Sequence, residues 1–224
     1  MNERRLKTLI YLATLSAGVL LISNLAAVKL WDFAGVAVDG GIVVFPLSYI
    51  LTDVIMEIFG RKVARSVIWA GFFLNLLAVI IFGVVGSLPA FVGWNGQEAF
   101  WEILGFVPRI VAGSLLAYVS SQLLNNLVFE KIKQRTGQKY LCVRTLGSSA
   151  VAHLLDVLIF ETVAFMGVLA WSDFLKQAGF AYLAGMILEV ILTPLTYIVV
   201  KFLKKYIEEM TEKEKERVKG KLRV

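Results

Sequence analysis

Asp53 and Glu57 stand four residues apart in "FPLSYILTDVIMEIFGRKVAR" (45–65), a stretch otherwise apolar enough, as far as Gly60, to sit in lipid. His153, Asp156 and Glu161 interrupt a second apolar run, and Glu189 a third. A carboxylate in such surroundings accepts hydrogen bonds from a ligand, binds a cation or relays a proton. Each costs roughly 2.5–3.5 kcal/mol at mid-membrane, so each needs something to offset its burial. Asp53 and Glu57 share a helix face, and no basic residue lies within one turn of Asp53 on its own helix. The partner of Asp53 must therefore come from elsewhere, whereas Glu57 either joins it or pairs with Arg61 at i,i+4. Ser149, His153, Asp156 and Phe160 fall at i, i+4, i+7 and i+11 and form one stripe. His153 and Asp156 either read a ligand or hydrogen-bond each other as packing glue. Ser114, Tyr118, Ser121, Gln122 and Asn125 fall on one face of a further helix, with Asn126 beside it. Polar stripes on three helices are expected to face one another and to line a polar cavity.

The chemistry expected of that cavity is binding. HExxH, CxxC, GxSxG and GxxxxGK[ST] do not occur, and no nucleophile stands in a recognisable setting beside His153 and Asp156. A single histidine excludes a His-rich metal site, although one His with several carboxylates still suits a metal. The one cysteine, Cys142, supplies neither an intramolecular disulfide nor a thiolate cluster. We therefore expect no enzyme activity, no cofactor and no resident metal. The net charge of +6 does not point to nucleic acid, because Lys and Arg cluster at the ends of apolar runs.

These residues must be positioned by membrane helices. With 224 residues, 58% hydrophobic and 18% charged, the chain reads as an integral membrane protein. The expected fold class is an all-α polytopic bundle of six transmembrane helices, about 8–28, 42–60, 66–87, 108–129, 144–170 and 178–200. The first apolar run is too long for a signal-peptide core and is read as a retained helix. Pro46 is expected to make the second span the least regular. Of the 23 Lys and Arg, only Lys29, Arg109 and Lys176 fall outside the segments that become cytoplasmic if both termini lie inside. Residues 88–107, rich in Phe and Trp, are expected to form an interfacial helix capped by Asn95 with Glu98, either a lid or an aromatic anchor. The division is a membrane domain, 1–205, and a charged cytoplasmic helical tail, 206–224.

"FPLSYILTDVIMEIFGRKVARSV" resembles the queuosine precursor transporter family, also called the vitamin uptake transporter family. Its motif elements stand here as Phe45-Pro46, Thr52-Asp53, Glu57, Ile58-Phe59-Gly60 and Ala64-Arg65. The likeness continues through "PRIVAGSLLAYVSSQLLNNLVFEKIK", "RTLGSSAVAHLLDVLIFETVAF" and "EVILTPLTYIVV", covering about residues 20–205 in order. It implies a fold similar to the substrate-binding components of energy-coupling-factor transporters. It also implies import of 7-deazaguanine bases, such as 7-cyano-7-deazaguanine or 7-aminomethyl-7-deazaguanine, across the cytoplasmic (inner) membrane. Positions matching family motifs are Asp53, Arg65, Arg109, Ser114, Gln122, Asn125, Arg144, Ser149, Asp156 and Glu189. Asp53, Gln122, Asn125, Asp156 and Glu189 are the favoured ligand contacts, with Glu57, Ser114, Ser149 and His153 behind them. Arg61, Arg65, Arg109 and Arg144 are expected to brace helix ends or fix topology. A vitamin-like or other purine-like substrate, and a small polar-lined ion channel, stay open as alternatives. An energy-coupling module or a second copy of the chain stays open as partner, because no nucleotide-binding motif is present.

Overall fold

The computed structural model describes residues 3–136 and 141–221, the side chains of 45, 49, 129, 133, 135–136, 141–146 and 208–221 excepted. Its long elements are helices, because apolar runs of this length can satisfy their backbone in lipid only along the helix itself. They are α1 (Glu3–Ala26), α2 (Phe45–Phe59), α3 (Arg61–Gly86), a short α4 (Gln97–Leu104), α5 (Val107–Thr136), α6 (Leu141–Phe165) and α7 (Trp171–Lys221). Helices α2, α3, α5, α6 and α7 contact one another in that order, α7 returns to α2, and α1 packs against α2, α3 and α5. Phe165, Ala164, Ile110 and Ala27 form the core at one end, with Val54, Ile58 and Val200 toward the other.

Among the described residues, five helices are long and apolar enough to cross a membrane: α1, α3, α5, α6 and α7. Helix α2 has 15 residues. At 1.5 Å per residue it is about 22 Å long, shorter than a hydrocarbon core of about 30 Å. Pro46 does not disturb it, contrary to the expectation. It sits in the first turn, where a missing N–H leaves no hydrogen bond unmade.

Before α2 the chain forms a hairpin that the sequence reading did not anticipate. Strands β1 (Leu30–Phe33) and β2 (Val36–Asp39) pair antiparallel, from Leu30 opposite Asp39 to Phe33 opposite Val36. The two-residue turn places Ala34 at φ 53° and Gly35 at φ 82°, the paired positive angles that match the twist of a tight hairpin. A 3-10 turn, Gly40–Val43, follows, begun by Asp39, whose Oδ1 accepts from the Gly41 amide at 2.9 Å. Only glycine fits at position 40, since a Cβ there would lie 2.5 Å from the Ala26 carbonyl oxygen.

Three further expectations are corrected. The fifth span ends at Phe165 rather than 170, where the chain turns through Gly167 (φ 81°). Arg109 holds that end, its Nε donating to the Val163 carbonyl at 2.5 Å and its Nη2 to that of Met166. Asn95 does not cap α4: the helix starts after Gly96 with no side-chain cap. Instead Gln97 Nε2 donates to the Gly86 carbonyl at 2.8 Å and Trp101 lies over Gly86, fixing α4 to the end of α3. Finally, α7 begins at Trp171, seven residues before the expected 178, and runs for 51 residues with Pro194 inside it.

Candidate functional site

Of the expected site residues, Asp53 stands on α2, Ser121 and Asn125 on α5, His153 and Asp156 on α6 and Glu189 on α7. Ser121 Oγ donates to Asp156 Oδ1 at 3.0 Å, so a short polar side chain of α5 orients the carboxylate of α6. Asp53 lies within electrostatic reach of Glu189 across the α2–α7 contact, and both stay accessible rather than sealed into packing. The neighbour that Asp53 meets on another helix is thus a second acid, which adds to the cost of its charge instead of offsetting it. Two carboxylates facing each other repel when both are ionised, so a proton, a cation or a donor-bearing ligand suits the space between them.

Two acceptors on α5 and α6 are also unengaged. Asn125 Oδ1 and His153 Nε2 are buried without a hydrogen-bond partner. His153 does not bond Asp156. Its ring stacks on Tyr182, centroids 5.5 Å apart and planes at 24°, and its Nε2 lies against Gly185, where any Cβ would collide with it.

Other expected residues have different duties. Glu57 pairs with Lys204 Nζ at 2.7 Å, not with Arg61. Gly60, at φ 90°, ends α2 before Arg61 begins α3, so the i,i+4 relation never forms. Ser114 Oγ donates to Asn24 Oδ1 at 2.9 Å, Asn24 Nδ2 to Asn75 Oδ1 at 2.8 Å, and Asn75 Nδ2 to the Gly71 carbonyl at 2.8 Å. That closed chain ties α5, α1 and α3 together and leaves the Ser114 hydroxyl committed. Gln122 is exposed and Ser149 half-buried, and neither is joined to a polar partner among the described residues. Arg65 lies within reach of Tyr118, while the side chain of Arg144 lies outside the described residues.

A second polar group lies at the hairpin end of the bundle. Glu161 of α6 and Gln177 of α7 are each 1% exposed, and Asp39 of β2 is 9% exposed. Gln177 lies beside the Glu161 carboxyl, and Asp39 within electrostatic reach of it. The Glu161 carboxyl and the Gln177 amide are each other's polar partner there, in a contact outside ordinary hydrogen-bond geometry. Burial pushes the Asp39 carboxyl from 3.8 up to about 6, against backbone amides including Gly41 and Ile42 that pull it down.

The family model described as "Putative vitamin uptake transporter" matches residues 39–199, from Asp39 to Val199 within α7. The chain belongs to this family. It is 34% identical over 177 residues to a "Probable queuosine precursor transporter" of Bacillus subtilis (strain 168), covering 78% of this chain and 77% of that protein. It is 29% identical over 164 residues to the "Queuosine precursor transporter" of Escherichia coli (strain K12), covering 73% and 72%. It is 31% identical over 125 residues to a "Probable queuosine precursor transporter" of Haemophilus influenzae, covering 56% and 51%. No solved structure matches. A vitamin uptake transporter with five helices of spanning length is a multi-pass membrane protein whose work is transport.

Within this vitamin uptake transporter, sequence reasoning passed over Asn24, Asp39, Asn75 and Gln177. Glu161 was legible as an acid in an apolar run, but its spacing put it off the Ser149–Phe160 stripe. Gln177 fell just outside the expected last span, which hid it.

Proposed function

We propose that the protein imports queuosine precursors, 7-deazaguanine bases such as 7-cyano-7-deazaguanine or 7-aminomethyl-7-deazaguanine, across the cytoplasmic membrane. The relatives' names support the substrate, and one observation carries the site. Asp53, Asp156 and Glu189 stand on three different helices, Asp53 within electrostatic reach of Glu189, and Asn125 Oδ1 and His153 Nε2 are buried and unengaged. Such an acceptor-rich set suits a flat, donor-bearing base. Its parallel N–H groups fit one carboxylate bidentately, and the ligand offsets the cost of holding acids in the bilayer. In this reading α2, extended by the 3-10 turn before it, makes the sixth crossing, and both termini lie in the cytoplasm, as the placement of Lys and Arg favours. A different vitamin-like molecule is the second reading, favoured by the wording of the family description.

The test is uptake of labelled 7-cyano-7-deazaguanine by cells lacking their own importer. Asp53→Asn should abolish uptake while membrane insertion is unchanged. Uptake at the wild-type rate by a correctly inserted variant would refute the role of Asp53.

A further inference from the structure

The segment between α3 and α4, residues 87–96, turns its largest side chains away from the protein. Phe91 is 82% exposed and Val92 90%, more than any other large hydrophobic side chain among the described residues. They stand on a tight turn in which the Trp94 amide donates to the Phe91 carbonyl at 3.0 Å. Gly93, at φ 95°, supplies the left-handed angle that a type II turn needs at its third residue. The foot of the segment is fastened, by Gln97 Nε2 on the Gly86 carbonyl at 2.8 Å and by Trp101 over Gly86. A formed turn on a fastened foot that holds apolar side chains outward marks a surface with a partner.

We infer that the Phe91–Trp94 turn is a lipid anchor, with Phe91 and Val92 entering the boundary between headgroups and acyl chains of the bilayer that the protein spans. Continuity identifies the partner. Val84, Val85 and Leu88, at the end of the spanning helix α3 and just beyond it, are exposed, and the turn prolongs that lipid-facing surface. No side chain between Arg65 and Glu98 is charged, so nothing in the sequence separates the turn from the helix. The backbone sets the depth. Apart from the bond that closes the turn, residues 89–93 make no backbone hydrogen bond among the described residues. Their amides and carbonyls need water or headgroups, which places the turn at the boundary and not in the hydrocarbon. Glu98 and Glu102, four apart on one side of α4, are exposed and keep that side wet. Trp94 and Trp101, each about half exposed, carry the amphipathic indole favoured at this level. The contacts on Gly86 also argue against a lid, which would have to release them to close.

The experiment places one environment-sensitive fluorophore on the full chain carrying Cys142→Ser, reconstituted in phosphatidylcholine nanodiscs. Its attachment point is Phe91→Cys, Val92→Cys or, as the reference in water, Glu98→Cys. Phosphatidylcholine brominated on its chains should quench the labels at 91 and 92 at least about twofold more than the label at 98, and aqueous iodide should show the reverse order. Equal iodide quenching at all three positions, with none from the brominated lipid, would put the turn in water and overturn the inference. Loss of the lipid quenching at 91 and 92 on adding 7-cyano-7-deazaguanine would make the turn a lid and overturn it too. In detergent, Phe91→Cys and Val92→Cys should unfold at the temperature of Cys142→Ser, because the protein holds neither side chain. A fall in either would mean that the tip packs against protein, and would also overturn the anchor. The quenching is read without ligand, so it stands or falls apart from the substrate reading.

Discussion

Asp39→Asn isolates what a buried acid at the hairpin's end does to stability. In the folded protein its carboxyl titrates at about 6, against 3.8 ordinarily, because burial disfavours the charged form. The folded state therefore holds this proton more tightly than the unfolded chain. The stabilisation is fully present below 3.8 and is lost as pH rises through 6. A shift of about two units corresponds to about 3 kcal/mol in full, of which about 2 kcal/mol disappears between pH 4.5 and 7.5. Asparagine cannot ionise, but its side-chain oxygen can still accept from Gly41 N, so the start of the 3-10 turn survives. Equilibrium unfolding in mixed micelles at the two pH values gives the comparison. Wild type should lose about 2 kcal/mol more than Asp39→Asn on going to the higher pH. Glu161, the acid within electrostatic reach of Asp39 from α6, stays in both proteins. Parallel pH profiles for the two proteins would refute the reasoning.

Two further outcomes follow from contacts that join distant parts of the chain. Asn75→Ala removes a fully buried amide that bridges α1 and α3 and leaves Asn24 Nδ2 unpaired, so unfolding stability should fall by about 1–3 kcal/mol. The check is the unfolding midpoint with wild-type slope. Glu57→Gln breaks the Lys204 ion pair, but both side chains are about half exposed, so the loss should stay below about 1 kcal/mol and shrink with added salt. A large loss of uptake with unchanged stability in this variant would return Glu57 to the transport machinery.

What was legible in the sequence was what a single segment reports about itself. The long apolar runs of α1, α3, α5, α6 and α7 announce helices, because period and length suffice. The acids in those runs were visible as costs needing a partner; Asp156 meets one on another helix in Ser121, whereas the α7 neighbour of Asp53 is a second acid. Pairings across the fold were not legible. Lys204 is 147 residues from Glu57, and Asn75 is 51 from Asn24, separations that no local pattern encodes. The hairpin was missed for a different reason. Its strands are four residues each and its turn begins with alanine, not the Asn-Gly or Asp-Gly that usually marks such a turn. Pro46 misled because a proline breaks a helix interior yet suits a first turn, and only the helix start decides which applies.

The length of α7 gives the molecule a lever. At 51 residues it is about 76 Å of one backbone ladder, with Gln177 and Glu189 along one arm and the charged tail along the other. Over that length a few degrees of tilt moves the tip of a straight rod by several ångströms. Pro194, five residues past Glu189, removes one rung of that ladder and is where such a rod flexes. The two arms of α7 are therefore separated by a flexing point between Glu189 and the charged tail, and a change of angle there leaves the ladder of each arm intact.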